Sequence, residues 1–270
     1  NVFYTGAVPN QQIIPALRYL MGGKGGFRKR FYLLGSDYVF PRTANKITKG
    51  FLKVQGVQSE DIRETYRPLG YTDFSDVVKD IKNFASSGEA CVISTINGDS
   101  NTHFYKEFAQ QGLTSDKCPI MAFSVDENML RDMDLRDLQG HLAAWNYFHT
   151  IDEKENRSFV TQFKEYCARN NLPGGEKRVT SDPVEATYFG IHVWKQAVEK
   201  AGSFDVDAVT KAVLGMKFSA PGGDKQMHPR NHHTIKPVLI GKIRSDGLFD
   251  ILYKTRLIKP VVFSPYMESR

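Results

Sequence analysis

The run Phe31–Leu34 (FYLL), closed by Gly35-Ser36-Asp37, decides the fold class. Four apolar residues in succession have strand length, and no alternation leaves a face for water. The strand is therefore expected to be buried on both faces, as in a parallel sheet. Working outward, Ile13, Ile14, Leu17 and Leu20 recur at helical spacing between Gln11 and Met21, and Gly22, Gly23, Gly25 and Gly26 end that helix. A second helix is predicted from about Arg42 to Val54, stopping at Gly56. Ile62 to Leu69 reads as a strand that Pro68 places at an edge or an ending. Thr72 to Ala85 puts Phe74, Val77, Val78, Ile81 and Phe84 on one helical face, with Thr72 or Asp73 at its start.

The alternation then repeats. Cys91–Ile96 (CVISTI) is another buried strand, and a helix from about Asn101 carries Phe104 and Phe108. Pro119–Val125 (PIMAFSV) and His141–Tyr147 (HLAAWNY) are further strands, with a short helix near Glu127 to Asp132 between them. Val2–Thr5 reads as a short strand at the start. Strand and helix in turn, joined by short connections, predict an α/β fold: a mostly parallel sheet flanked by helices, with right-handed crossovers.

After Phe148 the texture changes. Helices are predicted over Asn156–Arg169, Asp182–Ala201 and Asp205–Gly215, the second opened by Asp182 as N-cap, Pro183 and Glu185. Val238–Ile243 and Leu248–Tyr253 flank Ser245-Asp246-Gly247, a hairpin signal. Two lobes result. Residues 7–144 form a nearly whole α/β lobe, and residues 1–6 with 145–236 part of a second. The hairpin and tail, 237–270, fit either lobe, one arrangement being a crossing back between them.

The chain has 270 residues, 41% of them hydrophobic and 24% charged, enough to bury a sizeable core. Its net charge of +6 is spread along the sequence. The densest basic run, Lys24–Arg30 (KGGFRKR), reads as a solvated loop, and nucleic-acid binding would need more clustering. Cys91, Cys118 and Cys167 form no CxxC pair, and an odd count cannot be fully paired. No leading signal segment is visible. The nucleophile-elbow, metalloprotease and phosphate-loop motifs are absent, and Gly22–Gly26 follows a helix, the wrong context for a phosphate cradle. His228, His232 and His233 read as structural rather than metal-binding, because adjacent strand residues point to opposite faces. A non-catalytic protein without metal or cofactor is the expectation.

The informative residues stand at strand ends, where open parallel sheets bind ligands. Those ends read Ser36-Asp37-Tyr38, Asn97-Gly98-Asp99-Ser100 and Ser124-Val125-Asp126. Tyr38, Asn97, Asp99 and Ser124 thus supply short polar groups and an aromatic wall to one rim, suiting a small neutral polar ligand. The alternative is that such residues only make turns, and that Asp99 only caps the following helix. Trp145 and Tyr147, two apart on a strand, are expected to point the same way beside the second crossing between lobes.

Six stretches reach a known family: YLLGSDYVFPRTAN (Tyr32–Asn45), TINGDSN (Thr95–Asn101), GHLAAWNYF (Gly140–Phe148), NHHTIKPVLIG (Asn231–Gly241), PLGYTDFS (Pro68–Ser75) and NVFYTGAVPNQQIIP (Asn1–Pro15). Together they resemble the urea-binding protein of urea ABC transporters. That group lies within the type I periplasmic binding proteins, near the branched-chain amino acid and short-amide binders. The resemblance implies two α/β lobes, each with a mostly parallel sheet, that close on urea or a short amide by a hinge. It also implies delivery to a membrane ABC permease, a periplasmic or cell-surface location, and an aromatic ligand contact at Tyr38; Asn97, Asp99, Ser124 and Trp145 are the other candidate ligand contacts, from their places in the chain. An amide-responsive regulatory sensor, or a repurposed structural subunit without ligand, would carry the same core.

Members of that family begin with several strands and helices ahead of the NVFYTG segment, so the first lobe-forming sheet is expected to be incomplete here. Val2–Thr5 should lack sheet neighbours, and the apolar faces marked by Phe159, Phe163, Tyr188, Ile191 and Trp194 should be partly uncovered. Absent residues, another chain or a partner would then complete the second lobe.

Overall fold

The computed structural model describes residues 1–267. Its large lobe runs α1 (Ile13–Met21), β1 (Arg30–Ser36), α2 (Val39–Val54), β2 (Ile62–Arg67), α3 (Ser75–Ala85), β3 (Ala90–Thr95), α4 (Ser100–Gln110), β4 (Ile120–Ala122), α5 (Glu127–Leu130) and β5 (Leu142–Trp145). Then follow α6 (Lys154–Arg169), α7 (Asp182–Ala201), α8 (Val206–Val213), β6 (Lys217–Phe218), β7 (Lys225–Met227) and β8 (Thr234–Ile235). A hairpin of β9 (Leu239–Ile243) and β10 (Phe249–Lys254) comes last.

The seven-stranded sheet has the order β10-β9-β5-β4-β3-β1-β2. The pairs within β1–β5 are parallel, whereas β9 runs antiparallel to both β5 and β10. The hairpin therefore completes the large sheet rather than forming a unit of its own. β2 lies at one edge, as Pro68 implied. Alternate strand residues feed two cores. Phe31, Leu33 and Ile93 meet α1 and α2 through Leu17 and Phe51, while Tyr32, Leu34 and Val92 meet α3 and α4 through Val78 and Phe104. Burial on both sides is why β1 and β3 read as unbroken apolar runs. Gly35 belongs to this packing: a Cβ there would lie 2.7 Å from Thr95 Oγ1 and 2.8 Å from Pro41 Cβ.

Within this fold the smaller sheet departs from expectation. β6, β7 and β8 pair antiparallel, because strands of two or three residues joined by tight turns can only form hairpins. Val2–Thr5 is not a full strand. Tyr4 alone makes a bridge, parallel to His233, next to β8. His232 and His233 stack on Phe3 and Tyr4 respectively, one histidine to each aromatic. α7 begins with Ser181, not Asp182, at its N-cap. Phe159 is buried and Phe163 half-buried, whereas Tyr188, Ile191 and Trp194 are exposed, the last two by 62% and 54%. Phe148, Ile151 and Phe159 pack into the same core as the large sheet, so packing continues past Trp145.

Candidate functional site

β1, β3 and β4 are sheet neighbours, and their carboxyl ends form one rim. Tyr38 stands half-buried just ahead of α2, its ring 6.3 Å from that of Phe40. Burial raises the pKa of its phenol, and the neighbouring polar Asn97 side chain opposes that rise. Asn97 in turn donates its backbone N–H to Ser36 Oγ at 3.0 Å and its side-chain amide to the Thr95 carbonyl at 3.0 Å. Ser124 Oγ donates to the carbonyl of Ile96. Tyr38, Ser36, Asn97 and Ser124 thus make a connected polar set fixed by the ends of three strands. Neutral donors and acceptors so held match a small ligand carrying both amide N–H and C=O groups.

The other two sequence candidates sit differently. Asp99 is exposed before α4, and its carboxylate makes no capping bond there. Trp145 ends β5, one strand beyond β4. Its indole N–H donates to the Val125 carbonyl at 2.8 Å, and its half-buried ring packs against the core. Tyr147 is fully buried on that same core, its hydroxyl bonded to Asn156 and Thr180.

Beneath the rim, the chain passes between the two sheets at residues 5–12 and 236–238, and residues 146–148, which follow β5, lie against both passages. One side chain holds all three. Asn146, buried, donates from Nδ2 to the Gln11 carbonyl at 3.0 Å and the Pro237 carbonyl at 2.7 Å. Its backbone N–H donates to Asp182 Oδ2 at 2.8 Å. Gln12 Nε2 reaches the carbonyls of Phe123 (3.1 Å) and Ala144 (2.6 Å), and Gln11 Nε2 those of Thr234 (2.8 Å) and Ile258 (2.9 Å). Lys236 donates to the Thr5 carbonyl at 2.6 Å; burial pushes its ammonium pKa down, against the pull of Asp182. Apart from the bond to the Asp182 carboxylate, each of these bonds ends on a main-chain carbonyl, a group that needs a partner when buried.

Two buried acids flank the crossings. Glu127 is fully buried, and its Oε1 accepts the His149 N–H at 2.7 Å while Oε2 has no partner. Burial pushes its carboxyl up to about 8. Burial also pushes His149 down to about 4, its Nδ1 lying 2.8 Å from Thr180 Oγ1. In the small lobe Glu185 Oε1 meets Lys225 Nζ at 2.5 Å and the Gly222 N–H at 3.0 Å. Burial raises the Glu185 pKa, with Lys225 opposing.

These buried groups lie outside the strand-end residues that the sequence patterns single out. The available signal was a polar residue inside an apolar run, as Asn146 is within Trp145–Phe148, or Gln11-Gln12 ahead of the apolar α1.

A mostly parallel, helix-flanked sheet with a polar rim, joined to a second, smaller sheet, defines a type I periplasmic binding protein-like fold. The chain belongs to the family described as periplasmic binding protein domain, whose model matches residues 1–269. A solute-binding protein of an ABC transporter from Rhodopseudomonas palustris BisB5, solved with 3,4-dihydroxybenzoic acid, superposes with a TM-score of 0.79 at 21% identity. The match covers 97% of this chain and 68% of that one. The closed form of a leucine-, isoleucine-, valine-, threonine- and alanine-binding protein from Brucella ovis gives 0.76 at 15% identity, over 95% of this chain and 64% of that one. These likenesses establish the fold. A curated protein named limonene hydroxylase, from Geobacillus stearothermophilus, is 30% identical over 130 residues, 48% of this chain. The match spans only 22% of that protein's length.

Proposed function

We propose that this chain is part of a non-catalytic solute-binding protein for urea or a short amide, serving a membrane ABC permease from the periplasm or cell surface. The observation that carries the reading is the Tyr38–Asn97 pair, joined through Ser36 to the ends of β1 and β3 and neighboured by Ser124. Urea has one acceptor and four N–H donors, so its recognition rests on well-oriented neutral hydrogen bonds. A carboxylate ligand would meet the opposite conditions. The nearby cation, Arg42, is engaged by Asp37 at 2.6 Å, and Asp99 adds negative charge to the rim.

The exposed residues of α7, Ile191 and Trp194, lie with Phe3 and Phe204 along an apolar groove of about 570 Å³. In this reading a further segment or partner chain covers that groove and supplies the opposite wall of the ligand site.

Isothermal titration with urea, acetamide and benzoate tests the proposal. Urea or acetamide binding that Tyr38→Ala and Asn97→Ala each weaken by about tenfold, the value of a well-made hydrogen bond, supports it. Benzoate binding in preference, or amide binding indifferent to both substitutions, refutes it. An amide-responsive sensor would bind the same ligand without associating with a permease, which co-purification distinguishes.

A further inference from the structure

A second groove, of about 400 Å³, runs along the side of the large lobe between α1 and the chain that follows β10. Its walls carry three cations, Arg18, Lys24 and Arg256, and no carboxylate among the described residues. None of the three has an ion-pair or side-chain hydrogen-bond partner among the described residues. Arg18 has only the Phe51 ring, 5.8 Å away. Elsewhere arginines are matched to acids, as in Arg30–Asp61, Arg42–Asp37, Arg63–Asp80 and Arg67–Asp76. Among the described residues these three cations surround one concavity without a counter-charge, which gives a local positive field.

The basic run Lys24–Arg30 divides accordingly. Arg28 donates to the carbonyls of Ala90 and Lys117, Lys29 pairs with Glu89, and Arg30 with Asp61. Lys24 alone of the run's cations stays unengaged and faces the groove. It is held there by the turn Gly23–Gly25, which folds back on the end of α1 so closely that a Cβ on Gly25 would lie 2.1 Å from the Tyr19 carbonyl. The same groove offers apolar contact. Tyr19 and Tyr253 sit with ring centres 5.9 Å apart, and Leu257 is half-exposed beside them.

We propose that this groove docks an extended acidic segment of a partner protein. Its carboxylates would meet Arg18, Lys24 and Arg256, and an aromatic or aliphatic side chain would rest on Tyr253 and Leu257. The shape favours a peptide over a compact anion: the cations stand on three separate elements around an open groove. The carbonyl end of α1 also points toward the glycine turn, where its partial negative charge opposes a dense anion such as phosphate. β10 is separated from β1 by β9, β5, β4 and β3, so this surface is distinct from the rim and can be occupied together with it.

Fluorescence anisotropy at low salt tests the assignment. A labelled peptide of Asp, Glu, Leu and Tyr is compared with its Asn/Gln counterpart, with inorganic phosphate and anionic phospholipid vesicles as competitors and a single-stranded oligonucleotide as a third. The acidic peptide is expected to bind, to weaken as salt rises, and to lose about tenfold in affinity in Arg18→Gln/Lys24→Gln/Arg256→Gln, each exposed charge pair contributing about twofold. The thermal midpoint should not move, since all three side chains are exposed. The control Lys106→Gln/Lys211→Gln/Lys242→Gln, away from the groove, should bind as the unaltered protein does. The proposal is overturned by absent acidic-peptide binding, by equal binding of the neutral peptide, or by equal loss in the control. It is also overturned if phosphate, vesicles or the oligonucleotide displace the peptide at lower charge concentration, which would make the occupant another kind of anion.

Discussion

Replacing Asn146 with alanine should loosen the junction between the two sheets more than any comparable surface change. The side chain is 1% exposed and donates two hydrogen bonds, to the carbonyls of Gln11 and Pro237. Truncation removes both and leaves two buried acceptors bare. Each unsatisfied buried group costs about 1–3 kcal/mol, so the loss from two should be about 2–6 kcal/mol. The buried acceptor that Asn146 Oδ1 leaves unpartnered is deleted as well, which offsets part of it and favours about 3 kcal/mol. In a chain of this size that corresponds to about 6–10 °C in thermal midpoint. Urea would occupy the proposed site, so guanidinium denaturation followed by far-UV circular dichroism is the better assay. Asn146→Asp should be worse: it keeps the shape, removes the donors and places a second carboxylate beside Asp182, whose Oδ2 already accepts the residue 146 N–H. If Asn146→Ala stays within about 0.5 kcal/mol of the unaltered protein, a surface-like change, the crossing segments are not held by this side chain and the hinge assignment fails.

Three further outcomes follow from the same packing. Glu127 holds its proton up to about 8 in the folded chain and releases it near 4.5 when unfolded, so its contribution to stability is full at low pH and falls across that window. Between pH 6.5 and 8, where the opposite contributions of His141 and His149 level off, stability should fall by at most about 1.4 kcal/mol per pH unit. Glu127→Gln, which keeps an acceptor for the His149 N–H, should flatten that slope in denaturation curves taken from pH 6.5 to 8, and an unchanged slope would show that another group titrates. Lys225→Met should cost about 3–5 kcal/mol by stranding buried Glu185, while Lys225→Met/Glu185→Leu recovers most of it; a double-mutant cycle without such coupling would deny the pair. Gly25→Ala should destabilise the α1 end, because its methyl group would lie 2.1 Å from a backbone oxygen, and normal thermal stability would show that the turn relaxes.

The large lobe was legible because both faces of its sheet are covered. Burial on two sides made β1 and β3 into apolar runs, and the helices between them kept clean apolar stripes. β6, β7 and β8 were not legible, since two or three residues carry no periodicity and their pairing depends on the turns between them. The bridge at Tyr4 was read as a longer strand for the same reason: three apolar or aromatic residues look like a strand until the partner turns out to be His233 alone. In the candidate site, the strand-end residues could be named from sequence, but Ser, Asn and Asp there also make turns and caps, so their role could not. That Tyr38 and Asn97 lie near each other follows only from β1 and β3 being neighbours. The junction amides left almost no trace. Asn146 bonds to Gln11, 135 positions away, and its partners are main-chain carbonyls that have no residue type to read.

The sheets also treat their borders unequally. β2, at one border of the large sheet, carries Arg63 and Arg67, which are bound to Asp80 and Asp76, and β10, at the other, has an irregular register between Ile251 and Tyr253. Charge and irregularity both discourage a foreign strand from adding there. The small sheet carries exposed Lys217 on its β6 border, but beyond β8 it has only the bridge at Tyr4, where exposed Val2 and an apolar groove lined by Phe3, Trp194 and Phe204 follow. Unwanted self-association of this polypeptide in a concentrated sample should therefore be directional, growing from that one flank. A mild detergent or a charged substitution at Val2 or Phe204 should keep it dispersed, while the same substitution on β2 should change nothing.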